Sequence, residues 1–219
     1  MGSVQTLIFD LDDTLYTGAS GLFAEVGERI EGWLSRALAV SAVEAKALRR
    51  QYYLAYGTTM AGLLQHHPEV DIEDYLVDAH RVDVSRYLSA DLGLDAMLAG
   101  LPCTKVVFTN AIADWAERVL LQLGIRQHFS QIVDVRALAY HAKPYPEAYR
   151  RLLDLLGVSG EACVLIDDQV RNVRQASLYG MRTVLVHPGA QPGDGADFAV
   201  DDILAAGPAL RLLLDGRGG

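Results

Sequence analysis

Long apolar runs are missing from this chain of 219 residues. No stretch approaches the roughly 20 apolar residues that a helix needs to cross a bilayer. The first residues also lack the basic and then apolar pattern of a secretory signal. Hydrophobic residues nevertheless make up 51% of the chain, so a sizeable core is expected. We therefore expect a globular protein without a membrane partner.

Cysteine is scarce, with only Cys103 and Cys163 present. The two lie far apart and match no spacing that is typical of metal ligands or of a redox pair. An apolar run follows each of them within a few residues, which favours buried structural thiols. A reducing compartment fits this usage, and we expect the protein to be cytoplasmic.

Positive charge is in short supply, because 28 acidic residues outnumber 19 Lys and Arg and leave a formal net charge of -9. This balance argues against nucleic acid as a standing partner, since phosphate backbones are held by clustered cations. A small phosphorylated substrate remains compatible, because local cations and a metal ion reverse the sign inside a pocket. No sequence feature points to an oligomeric state.

The apolar residues form five short runs separated by helix-like segments. Gly124, Gly157 and Gly180 each follow such a segment, where glycine supplies the left-handed residue at a helix end. Strands that are apolar on both faces and alternate with helices indicate βαβ units. We predict an α/β fold with a Rossmann-like, doubly wound parallel sheet and helices on both faces. The predicted strands are residues 4–9, 105–108, 132–135, 163–166 and 183–186.

The segment between the first two predicted strands breaks this alternation. Residues 22–38, 41–56 and 70–88 are predicted to be helical, and no strand pattern interrupts them. Because a βα connection usually has about 2–6 residues, so long a segment is not an ordinary loop. We predict an inserted α-helical cap domain at residues 17–101, with the α/β core formed by residues 1–16 and 102–219.

Polar residues stand at or just beyond the ends of four predicted strands, near the edge where open α/β sheets bind ligands. Each group taken alone has a structural explanation as a helix cap or a turn. Two carboxylates two residues apart, with a carboxylate pair after another strand, are costly to bring together without a cation. The four groups are Asp10-Leu11-Asp12-Asp13-Thr14, Thr109-Asn110, Lys143-Pro144 and Asp167-Asp168.

Hydrolysis of a phosphate ester gives each of these groups a role. A carboxylate can attack phosphorus and form an acyl-phosphate that water opens later. Mg²⁺ takes hard oxygen ligands and bridges protein carboxylates to a substrate phosphate. Lys and Thr hold the non-bridging oxygens while the phosphoryl group transfers. A second carboxylate can protonate the leaving group and then activate water.

The order of these motifs, with an insertion after the first, resembles the haloacid dehalogenase-like superfamily with a helical cap, over nearly the whole chain. The resemblance implies a Mg²⁺-dependent phosphomonoesterase that acts on a small phosphorylated substrate through an aspartyl-phosphate. It implies that Asp10 is the nucleophile and Asp12 the general acid and base, and Asn172 replaces an aspartate found in many relatives. The implied residues are Asp10, Asp12 and Lys143 for catalysis, Thr109, Asn110 and Lys143 for phosphate binding, and Asp10, Asp12 (by its backbone carbonyl), Asp168 and, assisting, Asp167 for Mg²⁺.

Further segments resemble the pyrimidine 5′-nucleotidase-like group, namely residues 10–16, 56–63, 108–111, 143–149 and 167–173. This resemblance implies a pyrimidine nucleoside 5′-monophosphate as substrate. It places substrate selection on Tyr56, Thr58 and Thr59, with the Tyr56 ring stacking on the base. The alternative is a broad-specificity phosphatase for small molecules such as sugar phosphates or pyridoxal phosphate.

Two other activities use related residues. A 2-haloacid dehalogenase attacks carbon and needs neither a metal nor a proton donor beside its nucleophile, so Asp12 and the pair Asp167-Asp168 argue against it. A phospho-acceptor signalling module also combines an acidic pair, an acceptor Asp, a Thr or Ser and a Lys before Pro. Such a module places the acidic pair before the acceptor and has no inserted cap, unlike this chain.

Overall fold

The computed structural model describes residues 4–191, 193 and 195–215. Its centre is a sheet of six parallel strands in the order β3-β2-β1-β4-β5-β6. This is the strand order of a doubly wound α/β sheet, as the sequence predicts. The strands are β1 (Thr6–Phe9), β2 (Thr104–Phe108), β3 (Gln131–Val133), β4 (Cys163–Asp167), β5 (Arg182–Val186) and β6 (Phe198–Val200).

Strand β1 lies inside the sheet, between β2 and β4, and all four of its residues are buried. Successive side chains of a strand point to opposite faces. Leu7 and Phe9 accordingly pack in one core cluster and Ile8 in another, on the other side of the sheet. Burial on both faces explains why the strand sequence is apolar throughout. The edge strand β6 was not predicted, because its three residues are only half-buried.

Nine α-helices surround the sheet in the described residues, and none of them is long and apolar enough to cross a membrane. Five of them lie between β1 and β2, where the sequence predicts an insertion. The helices are α1 (Leu22–Ala37), α2 (Ala42–Tyr56), α3 (Thr59–His66), α4 (Ile72–Ala79), α5 (Leu92–Ala99), α6 (Ala113–Gln122), α7 (Pro146–Leu156), α8 (Val170–Ser177) and α9 (Ala206–Leu214).

Helices α1 to α4 pack against one another and are called the insertion helices below. Ser41 and Glu44 form a reciprocal capping box that fixes the start of α2. The Trp33 ring of α1 meets the Tyr75 ring of α4 edge to face at 5.2 Å, and its indole N–H donates to Asp74 at 2.8 Å. Aromatic packing and a hydrogen bond thus join helix α1 with helix α4, and the insertion helices share one hydrophobic core cluster with one face of the sheet.

The structure contradicts one expectation for this region, and it contains one helix that was not predicted. The helix predicted at residues 70–88 ends at Ala79, because Arg118 of α6 takes the carbonyl oxygens of His80 and Val82 in hydrogen bonds of 2.6 and 2.8 Å. Helix α3 was not predicted, although Gly57 ends α2 in a left-handed conformation and Thr58 caps the next helix.

Helix α5 falls inside the predicted cap range but packs against the sheet-bearing part of the chain. Asp95 of α5 bonds to His128 at 2.6 Å and accepts a hydrogen bond from Gln127 at 2.8 Å. Met97 lies against Gly207 of α9, where an added Cβ would stand 3.2 Å from the Met97 side chain. The helices that stand over the end of the sheet are therefore α1 to α4.

Candidate active site

The predicted site residues converge at the carboxyl end of the sheet. Asp10 follows β1, Thr109 follows β2, and Asp167 and Asp168 stand at the end of β4, while Lys143 lies in the segment after β3. All five side chains are buried. Parallel strands end on the same edge, so residues distant in sequence are brought within contact there.

Lys143 is the central cation of the site. Its ammonium group lies 2.7 Å from Asp10 Oδ1 and 2.8 Å from Asp167 Oδ2, and it donates to the Phe108 carbonyl oxygen at 2.9 Å. Burial alone would lower the pKa of Lys143, but attraction to Asp10 and Asp167 outweighs burial and raises it. The ammonium group therefore stays charged and fixed in position.

Asp10 is a buried carboxylate with a raised pKa. Burial is the largest cause of its raised pKa, and the charges of Asp167 and Asp168 add to the rise while Lys143 opposes it. Lys143 holds Oδ1, and Oδ2 has no hydrogen bond among the described residues. One carboxylate oxygen is thus free to react.

Asp167 is the most enclosed of the acidic residues, with no exposed surface. Its Oδ1 accepts from the Gln169 backbone N–H at 2.9 Å and from the Asn172 amide at 2.8 Å. Its Oδ2 accepts from Lys143 at 2.8 Å and from the Asn172 amide at 3.0 Å. Both carboxylate oxygens of Asp167 thus accept hydrogen bonds from the protein. The role that the structure shows for Asp167 is to hold Lys143 in position.

Asp168 is the more accessible member of the pair. Burial, followed by the charge of Asp167, raises the pKa of Asp168 to about 7. One carboxylate oxygen each from Asp10, Asp167 and Asp168 lies within 4.8 Å of the others. Three carboxylates with one lysine leave an excess of negative charge on hard oxygen donors. This donor set fits Mg²⁺, which prefers such ligands.

Asp12 is held by two donors that the sequence did not single out. Tyr16 donates its hydroxyl to Asp12 Oδ1 at 2.5 Å, and Trp115 donates its indole N–H to the same oxygen at 2.9 Å. Asp12 Oδ2 has no hydrogen bond in the described part of the chain. Trp115 lies in the first turn of α6, just beyond β2. This position next to the carboxyl edge of the sheet is the sequence signal from which a contact between Trp115 and the site could have been predicted.

Thr109 and Asn110 have different hydrogen-bond partners in the site. Thr109 Oγ1 accepts the Ala111 backbone N–H at 3.0 Å, which leaves its own hydroxyl hydrogen to donate. Asn110 accepts from the Lys143 backbone N–H at 2.7 Å and donates to the Lys143 carbonyl at 3.1 Å. Asn110 therefore holds the lysine segment, and its phosphate contact remains a prediction.

A cavity of about 170 Å³ lies between this end of the sheet and the insertion helices. Asp10, Asp12, Thr109, Lys143 and Asp168 line its floor. Its walls are mostly apolar and come from all four insertion helices. The wall residues include Phe23, Val26, Ile30, Arg49, Tyr53, Thr58, Thr59, Met60, Tyr75, Leu76, Ala79 and His80.

The three residues predicted to select the substrate differ in whether they line the cavity. Thr58 and Thr59 line the cavity, and Thr58 also caps α3 by accepting from the Ala61 backbone N–H at 3.0 Å. Tyr56 is not among the residues that line it, and its hydroxyl bonds to His66 at 2.5 Å. Tyr53, one turn earlier on α2, faces the cavity instead.

Fold and site together define an α/β protein that gathers acidic residues and one lysine at the carboxyl edge of a parallel sheet. The family model for haloacid dehalogenase-like hydrolases matches residues 4–177, and the chain belongs to that family.

Three similar proteins illustrate the breadth of the family. Phosphate metabolism protein 8 of Saccharomyces cerevisiae is 26% identical over 196 residues, covering 83% of this chain but only 61% of the yeast protein. A phosphoglycolate phosphatase of Xanthomonas campestris is 27% identical over 198 residues, covering 87% of this chain and 86% of that protein. The crystal structure of a HAD phosphatase from Thermococcus onnurineus matches with a TM-score of 0.65 at 19% identity, covering 98% of this chain and 100% of that one, which shows the shared fold.

Proposed function

We propose that this protein is a Mg²⁺-dependent phosphomonoesterase that works through an aspartyl-phosphate on Asp10. The observation that carries the proposal is the placement of Asp10 and Asp12 on one cavity, each with Oδ1 held and Oδ2 free. A nucleophile and a proton donor are therefore available to the same substrate. The phosphoglycolate phosphatase of Xanthomonas campestris, which is 27% identical over most of both chains, supports the same reaction class.

The first step forms the covalent intermediate. Asp10 Oδ2 attacks phosphorus, and the bond between phosphorus and the leaving-group oxygen breaks. Asp12, protonated at this stage, gives its proton to that oxygen, so the product leaves as an alcohol. Lys143 and the Thr109 hydroxyl bind the non-bridging oxygens and stabilise their charge.

The second step regenerates the protein. Asp12, now ionised, takes a proton from a water molecule whose oxygen attacks the phosphorus of the aspartyl-phosphate. The bond between phosphorus and Asp10 breaks, inorganic phosphate leaves, and Asp12 has recovered its proton. Tyr16 and Trp115 keep the Asp12 carboxylate in one orientation through both steps.

Asp10, Asp168 and the backbone carbonyl of Asp12 would hold Mg²⁺, with Asp167 assisting through Lys143. When bound, Mg²⁺ supplies positive charge that neutralises the phosphoryl oxygens. Residues of this chain then supply the nucleophile, the proton donor and the contacts that position the ester.

Cavity size favours a small leaving group. The volume of about 170 Å³ lies below the roughly 300–1,000 Å³ that is typical of sites for drug-sized ligands. We therefore propose small phosphate monoesters as substrates. A pyrimidine nucleotide, which the sequence resemblance favours, would need the insertion helices to move outward to admit its base and ribose.

The dehalogenase alternative is weakened by the same geometry. A reaction at carbon that releases halide has no use for a proton donor beside the nucleophile. Asp12 is nevertheless fixed by two hydrogen bonds, one from the Tyr16 hydroxyl and one from the Trp115 indole N–H.

A phosphate-release screen tests the proposal. Small esters, uridine and cytidine 5′-monophosphates and 2-chloropropionate are offered with Mg²⁺ or with excess chelator. We expect phosphate release from small esters, loss of release under chelation, and no chloride release. The Asp10→Asn protein serves as control and should be inactive. Ester hydrolysis that persists under chelation, or in Asp10→Asn, would contradict the proposal.

A further inference from the structure

Arg49 places a charge on the apolar side of α2. It is four residues after Ala45 and three before Tyr52, and both of these are buried. Residues at such spacing share one face of a helix. That face is directed at the other insertion helices, and Arg49 lines the cavity shared with Asp10. The side chain of Arg49 is partly buried there, with 35% of its surface exposed.

Helix α1 is shaped to receive this side chain. Glu31 accepts the Arg49 Nε–H at 2.8 Å, and Gly27 stands one turn earlier on the same face. A Cβ at Gly27 would lie 2.9 Å from Arg49 Nη1 and 3.4 Å from Nη2. Glycine inside a helix is destabilising relative to alanine. Here it leaves space for the guanidinium group against the helix backbone.

The outer edge of the guanidinium group is left without a partner. Nη1 and Nη2 of Arg49 have no hydrogen bond among the residues that the structure describes. The other cations of the cavity are engaged: Lys143 bonds to carboxylates, and Arg171 donates to two backbone carbonyl oxygens of the α2 end. Burial lowers the pKa of His80, so this histidine is neutral at pH 7. Lys143 is assigned to the phosphoryl group, and Arg49 is the cation among the described cavity residues whose two terminal nitrogens are without a hydrogen bond.

We propose that Arg49 binds a carboxylate on the leaving group, so that the preferred substrates are small phosphate monoesters that carry a carboxylate. The inference rests on the proposed phosphatase reaction and adds the substrate class. An arginine edge with two free N–H groups matches the two oxygens of a carboxylate in a bidentate pair. Glu31 beside it disfavours a second phosphate, whose double negative charge it would repel.

The small cavity makes the two ends of such a substrate reach their sites together. Asp10 and Arg49 line the same volume of about 170 Å³. The phosphoryl group would lie at Lys143 and Thr109 and the carboxylate at Arg49, which line the same cavity. The short carbon chain between them would lie against apolar side chains such as Val26 and Met60.

Binding of two phosphonates tests the carboxylate site without relying on turnover. 3-Phosphonopropionate carries a carboxylate, and propylphosphonate has the same chain length without it. We measure both dissociation constants by calorimetry in the presence of Mg²⁺. Wild-type protein should bind 3-phosphonopropionate at least about tenfold more tightly, since charge-assisted pairs are the strong ones. Arg49→Gln should remove this preference and leave propylphosphonate binding unchanged, which also shows that the variant is folded.

Arg50→Gln is the matched control, because Arg50 is the next residue of α2, is exposed, and loses the same charge. It should keep the full preference. Arg49→Lys should keep only part of it, since lysine lacks the fork. An equal affinity of wild-type protein for the two phosphonates, or an unchanged preference in Arg49→Gln, would overturn the inference.

Turnover distinguishes this inference from the proposed function. Phosphoglycolate and ethyl phosphate are compared by kcat/KM in wild-type protein and in Arg49→Gln. We expect the variant to lose about tenfold or more on phosphoglycolate and little on ethyl phosphate. If neither ester is hydrolysed while the phosphonate preference depends on Arg49, the phosphatase proposal fails and the carboxylate site stands.

Discussion

The guanidinium group of Arg171 lies over the ring of Tyr53, with its central carbon 4.3 Å from the ring centroid. Arg171 also donates to the carbonyl oxygens of Tyr53 and Gly57 at 3.1 and 3.2 Å. A cation at the carboxyl end of a helix is favourable, because the last carbonyl groups point outward there. The core helix α8 thus holds the end of α2 against the cavity.

This contact also reaches the acidic pair. Tyr53 donates its hydroxyl to Gln169 Oε1 at 3.1 Å, and the Gln169 amide donates to Asp168 Oδ2. Gly57, on the same side, approaches Pro144 so closely that a Cβ would lie 2.8 Å from its ring. The insertion helices therefore touch both segments that carry Asp168 and Lys143.

Arg171→Gln should loosen this attachment. We expect kcat/KM for small phosphate esters to fall about tenfold, since the change removes a cation–π contact and two charge-assisted hydrogen bonds. Amide hydrogen exchange at residues 53–57 should become faster. Arg174→Gln, an exposed change on the same helix, is the control and should leave both measurements unaltered. Unchanged exchange in Arg171→Gln would show that α2 is held by other contacts.

Trp115→Phe should reduce kcat while leaving KM for the ester nearly unchanged. The substitution removes the indole N–H donor to Asp12 and keeps an aromatic ring in the core. With Tyr16 as its one remaining donor, the Asp12 carboxylate spends less time aligned with the leaving group, so a loss of about tenfold is expected. Tyr16→Phe should act in the same direction. A rise in KM with constant kcat would instead indicate a contact with the substrate.

Asp12→Asn should separate the two chemical steps. With p-nitrophenyl phosphate, whose leaving group needs no proton, Asp10 can still attack and release p-nitrophenol. The second step lacks its base, so the aspartyl-phosphate should accumulate. Rapid mixing should show a burst of about one p-nitrophenol per protein molecule, followed by very slow turnover. A linear time course without a burst would contradict the role of Asp12 in the second step.

Stability of the metal-free protein should fall as pH rises from about 4 to 7. An unfolded aspartate loses its proton near pH 3.9, whereas burial and Asp167 raise the pKa of Asp168 to about 7. Between these values the folded state binds more protons, so the free energy of unfolding decreases with pH, by roughly 1.4 kcal/mol per unit at most for this group. The raised pKa of Asp10 acts with the same sign.

Mg²⁺ should restore the stability that the metal-free protein loses as pH rises, because its positive charge replaces that of the protons lost from the carboxylates. Urea unfolding at pH 5 and pH 7.5, with chelator or Mg²⁺, measures the effect. We expect Mg²⁺ to stabilise the protein more at pH 7.5 than at pH 5. Asp168→Asn should flatten the pH dependence. Equal stabilisation by Mg²⁺ at both pH values would argue against a metal on these carboxylates.

The sheet and its acidic edge were predictable because their pattern is local. Strands apolar on both faces imply burial on both faces, and Asp10, Thr109 and Asp167 stand where those strands end. Parallel pairing alone then brings them together. Lys143 was predicted in the same way, although the turns between β3 and Lys143 were not predictable from the sequence.

Partners of these residues were harder to foresee, because they depend on how helices pack. Trp115 reaches Asp12 only through the position of α6, and Arg49 reaches the cavity only through the angle between α1 and α2. The spacing of Ala45, Arg49 and Tyr52 does mark an inward charge. Tyr56, the residue predicted to stack on the base, bonds to His66 near the end of α2, while Tyr53 lines the cavity.

The position of β1 in the sheet has a consequence for how the protein is made. Thr6 pairs with Thr104 on one side and with Cys163 on the other, so the first strand to be synthesised waits for both neighbours. During that time its two edges are unpaired and its apolar side chains are unburied, a state prone to aggregation. The insertion helices, whose contacts are local, can form in the interval. A nascent chain that has not yet reached β4 can therefore carry folded helices beside an incomplete sheet. Such a chain lacks Asp167 and Asp168 and cannot yet act as a hydrolase.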